Sequence, residues 1–218
     1  MTKDEVLLAR GTADALAMHH KYHDSELHSR FAPDGPIARE LYEAMETARC
    51  EAVGAKDMPG TTGNINAKIG VEAKRKGFDK LTDRADAPLS DAAAYLIRSL
   101  TTQKDLPPSA KNVLDLWRDF ILDQAGATLE NLTNNLDSQE NFAKFSRQII
   151  TDLGYGDQLG DDPEAEDDNN QENEDEDNEQ SNDPESSGTD EDNDDNLDAD
   201  DQQSQEEQQD SAHAQMSS

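Results

Sequence analysis

Apolar residues recur every three or four positions over most of the first 155 residues, and this pattern predicts a series of amphipathic helices. Val6, Leu7, Ala13, Leu16, Ala17 and Tyr22 keep helical spacing behind a Thr2-x-x-Glu5 capping box. That predicts a first helix over 3–22, weakened locally by Gly11. A short helical turn through Leu27 and Phe31 ends at Ala32-Pro33-Asp34-Gly35, and Pro36 suits the first position of the next helix. Along that helix Ile37, Leu41, Met45, Ala48 and Ala52 define an inner face and Arg39, Glu43 and Glu46 a charged one, with an end expected near Gly54.

Met58-Pro59-Gly60-Thr61-Thr62-Gly63 reads as a loop. Ile65, Ile69 and Phe78 then suggest a helical stretch that Gly70 and Gly77 interrupt. Further amphipathic stretches run from Leu89 to Leu100, from Val113 to Ile121 after Pro107-Pro108, and from Leu129 to Leu153. The last is broken near Asp137, where an Asp-x-x-Glu cap restarts it, and Phe142, Phe145, Ile149 and Leu153 line its inner face. Period-two alternation is nowhere sustained and β-branched residues do not cluster, so the expected fold class is all-α, with no internal repeat.

Charge divides the chain. Of 50 acidic residues 25 lie in 161–218, while all 19 Lys and Arg lie before residue 148. The acidic stretch has no aromatic residue and only Leu197 and Met216 as large apolar side chains, too little to offset the entropy of ordering it. The expected organisation is a single helical domain over 1–158 and a disordered acidic tail or linker over 159–218. An acidic chain is repelled by phosphate backbones, and Lys74-Arg75-Lys76 is the sole dense basic run, so nucleic acid is not the expected partner. There is no signal peptide pattern and no apolar run long enough for a membrane, and one cysteine suits a reducing compartment, so the expected location is cytoplasmic.

His19, His20, His23 and His28 cluster, and His19 and His23 share a helix face as i, i+4 metal ligands do. The HExxH pattern is absent, and a third ligand would come from Asp24, Glu26 or His28. The plainer reading is histidines that cap or hydrogen-bond locally, so His19, His23 and His28 stand as weak metal candidates. Gly60-Thr61-Thr62-Gly63 resembles a phosphate-binding turn only loosely and reads better as a plain turn, since no GxxxxGK[ST] occurs. Asp190, Asp192, Asp194, Asp198 and Asp201 match calcium-loop positions, but Asp195 stands where the turn needs Gly, so an Asp-rich run accounts for them. Cys50 lies between Arg49 and Glu51 in mid-helix, and no GxSxG elbow exists; no catalytic residue is assigned.

From His23 the chain reads His23-Asp24-x-x-Leu27-His28, then Arg30, Pro33, Gly35 and Ala38-Arg39. It continues through Glu46, Ala48-Arg49, Glu51-Ala52, Gly54-Ala55, Met58, Gly60 and Asn64. This ordered combination resembles the N-terminal region of aerobic cobaltochelatase T subunits, most densely over residues 11–67 and more thinly to about 155. The acidic stretch is similar to the long linker that follows in that family. The resemblance implies a non-ATPase assembly or coupling subunit that works with an AAA+ ATPase S subunit and a large N subunit, and possible copies of itself. Together they insert cobalt into hydrogenobyrinic acid a,c-diamide in aerobic cobalamin synthesis. It implies that ATP and magnesium, with cobalt as substrate, belong to the complex and that this chain binds no cofactor. Family members continue into a von Willebrand factor A domain with a DxSxS motif, which these residues lack, so the resemblance implies a shortened chain or gene. The reading left beside it is a free-standing acidic binding protein, either a chaperone for a basic partner or a cobalt-delivery protein.

Overall fold

The Thr2–Glu5 pattern closes as a reciprocal capping box: Thr2 Oγ1 accepts from Glu5 N and Glu5 Oε2 from Thr2 N, which starts α1 (Lys3–Tyr22). The structure, a computed structural model, describes residues 2–163. Those residues are all-α, with no strand among them. After α1 come α2 (Ser25–Phe31), α3 (Pro36–Asp57), α4 (Thr61–Arg75), α5 (Leu89–Thr102), α6 (Pro108–Leu129), the short α7 (Leu132–Asn135) and α8 (Gln139–Ile150).

Helix α3 is the hub, packing on α1, α4, α5 and α8. Leu41, Met45, Ala48 and Ala52 are buried as the spacing predicts, whereas Ile37 is 43% exposed and Glu46, placed on the charged face, is 4% exposed. The helix does not stop at Gly54. A Cβ there would lie 1.9 Å from Met18 Sδ, so the glycine lets α1 and α3 approach and the helix continues to Asp57. Gly11 serves the same end between α1 and α4, since its Cβ would stand 2.3 Å from the Asn64 carbonyl oxygen.

Other expectations shift in detail. The loop after α3 ends at Gly60, because Thr61 N already donates to Met58 O at 3.0 Å and α4 runs through Gly63 and Gly70. Of the two expected interruptions only Gly77 breaks the helix, with a φ of 76° that glycine adopts readily. Helix α6 extends both ways beyond Val113–Ile121, starting at Pro108 as its first residue. The cap before α8 is Ser138, which has the extended backbone a cap needs and accepts from Asn141 N at 3.3 Å. Asp137 instead meets Lys56 Nζ at 2.9 Å. Phe142, Phe145, Ile149 and Leu153 are buried as expected.

The end of the described chain returns to α3. Gly35 has no side chain to cap the helix that Pro36 begins, and Gln158 supplies the missing acceptor. Its Oε1 takes Ile37 N at 3.1 Å and Ala38 N at 3.2 Å, and its carbonyl takes Gly35 N at 2.9 Å. Residues 159–163 stay on the helices: Leu159 packs against the core, and Arg147 donates to the carbonyls of Leu159 (3.2 Å) and Asp161 (2.9 Å). The rest of the acidic stretch, with its Asp190–Asp201 spacing, lies outside the described residues.

Candidate functional site

Five polar residues of the His23–Asn64 motif, His23, Asp24, His28, Glu46 and Arg49, collect where the end of α1 and the short α2 meet the middle of α3 and the start of α8. Asp24 caps α2, its Oδ1 accepting from Glu26 N at 2.9 Å and Leu27 N at 3.0 Å. Its own backbone is clamped by Gln139, whose Oε1 accepts Asp24 N at 2.7 Å and whose Nε2 donates to Asp24 O at 2.8 Å. Arg49, 2% exposed, holds Glu46 bidentately, Nε to Oε2 at 2.7 Å and Nη2 to Oε1 at 2.8 Å, and also reaches Tyr22 O and Gln139 Oε1. His23 Nδ1 lies 2.9 Å from Glu46 Oε1. Burial pushes the Glu46 carboxyl up, but the Arg49 hydrogen bonds and charge, with the His23 and Cys50 contacts, reverse this and hold it below its ordinary value.

His28 is 8% exposed and stacks on Tyr42, ring centroids 4.6 Å apart, with Tyr42 Oη donating to His28 O at 3.2 Å. Its Nε2 lies 3.0 Å from Glu43 Oε1 but outside hydrogen-bond geometry, and neither ring nitrogen has a hydrogen-bond partner. His23, His28 and Glu46 each offer one donor atom, all within 4.8 Å of one another. Of the three metal candidates, His23 and His28 are thus brought together. His19 stacks on His23 at 4.1 Å between ring centroids but supplies none of these three donors. The third donor is Glu46 rather than Asp24 or Glu26. Periodicity placed Glu46 on the charged face, and the one sequence signal for its burial is the Glu46-x-x-Arg49 pair one turn apart.

Most other motif residues fasten the fold. Arg39 Nε closes the turn before α3 on Pro33 O at 2.9 Å, Arg30 reaches Pro163 O at 3.3 Å, and Leu27 packs on the core. Glu51 meets Arg98 at 2.8 Å, and Asn64 Nδ2 donates to Asp14 at 2.8 Å from the turn where Gly11 admits α4. Met58 O accepts from Thr61 Oγ1 at 2.7 Å, while nothing in the structure explains Gly60, around which a Cβ would find open space. Burial pushes the Cys50 thiol up to about 12, aided by the Glu46 charge, so it stays protonated and inert at neutral pH.

An all-α unit knit by buried ion pairs, with its most polar junction around α3, is the class of protein these features define. The chain belongs to the family described as "Cobalamin biosynthesis protein CobT", whose family model matches residues 1–218, the whole chain. That is a family of cobaltochelatase subunits, and membership implies involvement in cobalamin biosynthesis. No solved structure matches the chain. No helix among the described residues is long and apolar enough to cross a membrane.

Proposed function

We propose that this chain acts in the cytoplasm as a non-ATPase assembly and coupling subunit of the ATP-dependent cobaltochelatase. In this reading its helical domain docks on the AAA+ ATPase subunit, the large subunit or further copies of itself, while cobalt enters hydrogenobyrinic acid a,c-diamide elsewhere in the complex. The observation that carries this is the family match over the whole chain. Two features support it. No GxxxxGK[ST] motif is present to bind ATP, and the motif residues are spent on holding α1, α2, α3 and α8 in fixed relation, as a docking unit requires. The acidic-chaperone alternative accounts for the charge but leaves the family match without a cause.

The test is direct binding of the full chain to the purified ATPase and large subunits, with ATPase activity measured in parallel. We expect association with at least one of them at micromolar Kd or tighter, and no ATP hydrolysis by this chain alone. Absence of binding to both, at concentrations well above that range, overturns the reading.

A further inference from the structure

A buried polar group without a partner is costly and needs a reason. Neither ring nitrogen of His28 has a hydrogen-bond partner, Nε2 meeting only the Glu43 carboxylate at 3.0 Å outside hydrogen-bond geometry, at a position where the chain had simpler choices: Tyr42 already provides an apolar stacking surface that a Phe or Leu would fill. Its ring also faces that of His23, centroids 4.7 Å apart, and His23 in turn shares a short contact with Glu46 Oε1. Two imidazoles and a carboxylate thus converge from three elements that the Asp24–Gln139 clamp and the Arg49 bonds hold in place.

We propose that His23, His28 and Glu46 form a binding site for a first-row divalent transition ion. Two imidazole nitrogens with one carboxylate oxygen make a donor set suited to zinc, cobalt or nickel, and a poor one for the hard magnesium and calcium ions. The donors now stand at up to 4.8 Å, and a tetrahedral ion with bonds of about 2.0–2.1 Å needs them near 3.3 Å, a contraction of at most about 1.5 Å. The ion enters between His23 Nδ1 and Glu46 Oε1, which stand 2.9 Å apart and open by about 0.4 Å to admit it. Arg49 is the group opposed to a cation here. Glu43, with Oε1 3.0 Å from His28 Nε2, brings a second negative charge to the same junction and offsets it. Arg49 also fixes the Glu46 carboxylate, with Nε on Oε2 and Nη2 on Oε1, as outer hydrogen bonds orient metal ligands generally.

The inference goes beyond the chelatase reading and does not depend on it, because the isolated chain carries all three donors. Cobalt(II) is the probe, titrated into the purified full chain in excess magnesium so that the carboxylates of 161–218 are already occupied by a hard cation. We expect one cobalt per chain with an absorption spectrum of imidazole-bound, low-coordinate cobalt. We also expect selective paramagnetic broadening of the His23 and His28 ring resonances before those of His20 and His213. His23→Gln and His28→Gln each weaken binding at least about 100-fold, beyond what loss of an outer-shell contact alone gives, while His20→Gln leaves it unchanged. Equal broadening of all histidines, or an affinity unmoved by His23→Gln, overturns the site. Should His28→Gln fail to keep its helical circular dichroism, the wild-type broadening pattern decides.

Discussion

Helix α3 carries two buried glutamates that their surroundings treat in opposite ways. Glu46 and Glu51 are 4% and 5% exposed, and each is paired with an arginine that is itself 2% exposed. Glu46 receives two bonds from Arg49, with His23 Nδ1 at 2.9 Å and Cys50 Sγ beside it, and its carboxyl is held below the ordinary value. Glu51 receives one bond from Arg98, at 2.8 Å, with Lys68 Nζ farther off at 3.8 Å. Burial wins there despite the Arg98 and Lys68 charges, and the Glu51 carboxyl is raised. Glu51 is more deeply desolvated, has the Glu72 charge beside it and faces fewer donors, and together these reverse the sign. Arg98 spends its other nitrogens on Asn66 Oδ1, whereas Arg49 turns both Nε and Nη2 toward its glutamate.

The largest expected effect comes from removing one arginine at a time. Arg49→Met strands an ionised Glu46 and also drops the bonds to Tyr22 O and Gln139, so it should cost about 3–5 kcal/mol. Arg98→Met should cost less at neutral pH, because Glu51, already biased toward protonation, can take up a proton. Urea denaturation of the two variants measures the difference. Equal losses would mean that the opposite bias of the two carboxyls is not what separates the pairs.

Of these two pairs, only the Glu46 one was within reach of sequence reasoning. Its partner stands one turn on, and the helix, its Pro36 start and its Leu41–Met45–Ala48–Ala52 face are all local signals. Arg98 lies on another helix, and no local pattern connects it to Glu51. Glycines mark the same boundary between local and tertiary information. Gly11 and Gly54 looked like weak points or ends because their helix cost is local, while the approach of Asn64 and of Met18 that they permit is set by the fold. The His23–His28–Glu46 grouping was half legible. The histidines are near in sequence, but the third donor depends on how α2 packs over α3.

A smaller effect is expected in the pH dependence, and it differs in sign between the two sites. Glu46 is depressed below its ordinary 4.5, so it contributes stability that is present above about 4.5 and lost as pH falls through the lower folded value. Glu51 is raised above 4.5, so the folded state holds a proton the unfolded chain has released, and stability is lost as pH rises from about 4.5 through the raised value. Glu46→Gln should therefore flatten the acid limb of a stability–pH profile. Glu51→Gln should flatten the decline on its neutral side. Melting temperatures taken across both limbs check this, and the same limb flattened by both variants would contradict it.

The smallest effect sharpens the comparison most. Asp24 belongs to the Glu46 neighbourhood through Gln139, whose Oε1 accepts both Asp24 N and Arg49 Nη2, and it has no such link to Arg98. Asp24→Ala removes the α2 cap and should cost about 1 kcal/mol, whereas Asp24→Asn keeps an oxygen for Glu26 N and Leu27 N and should cost little. Combined with Arg98→Met, the Asp24→Ala loss should add to within about 0.5 kcal/mol, since the sites share no partner. Combined with Arg49→Met it should depart from additivity by more than that, because loosening the α2 start also loosens the Gln139 acceptor that Arg49 uses. Additivity in both pairs would show that the cap and the ion pair are neighbours without being coupled, and that the Glu46 site owes its extra stabilisation to Arg49 and His23 alone.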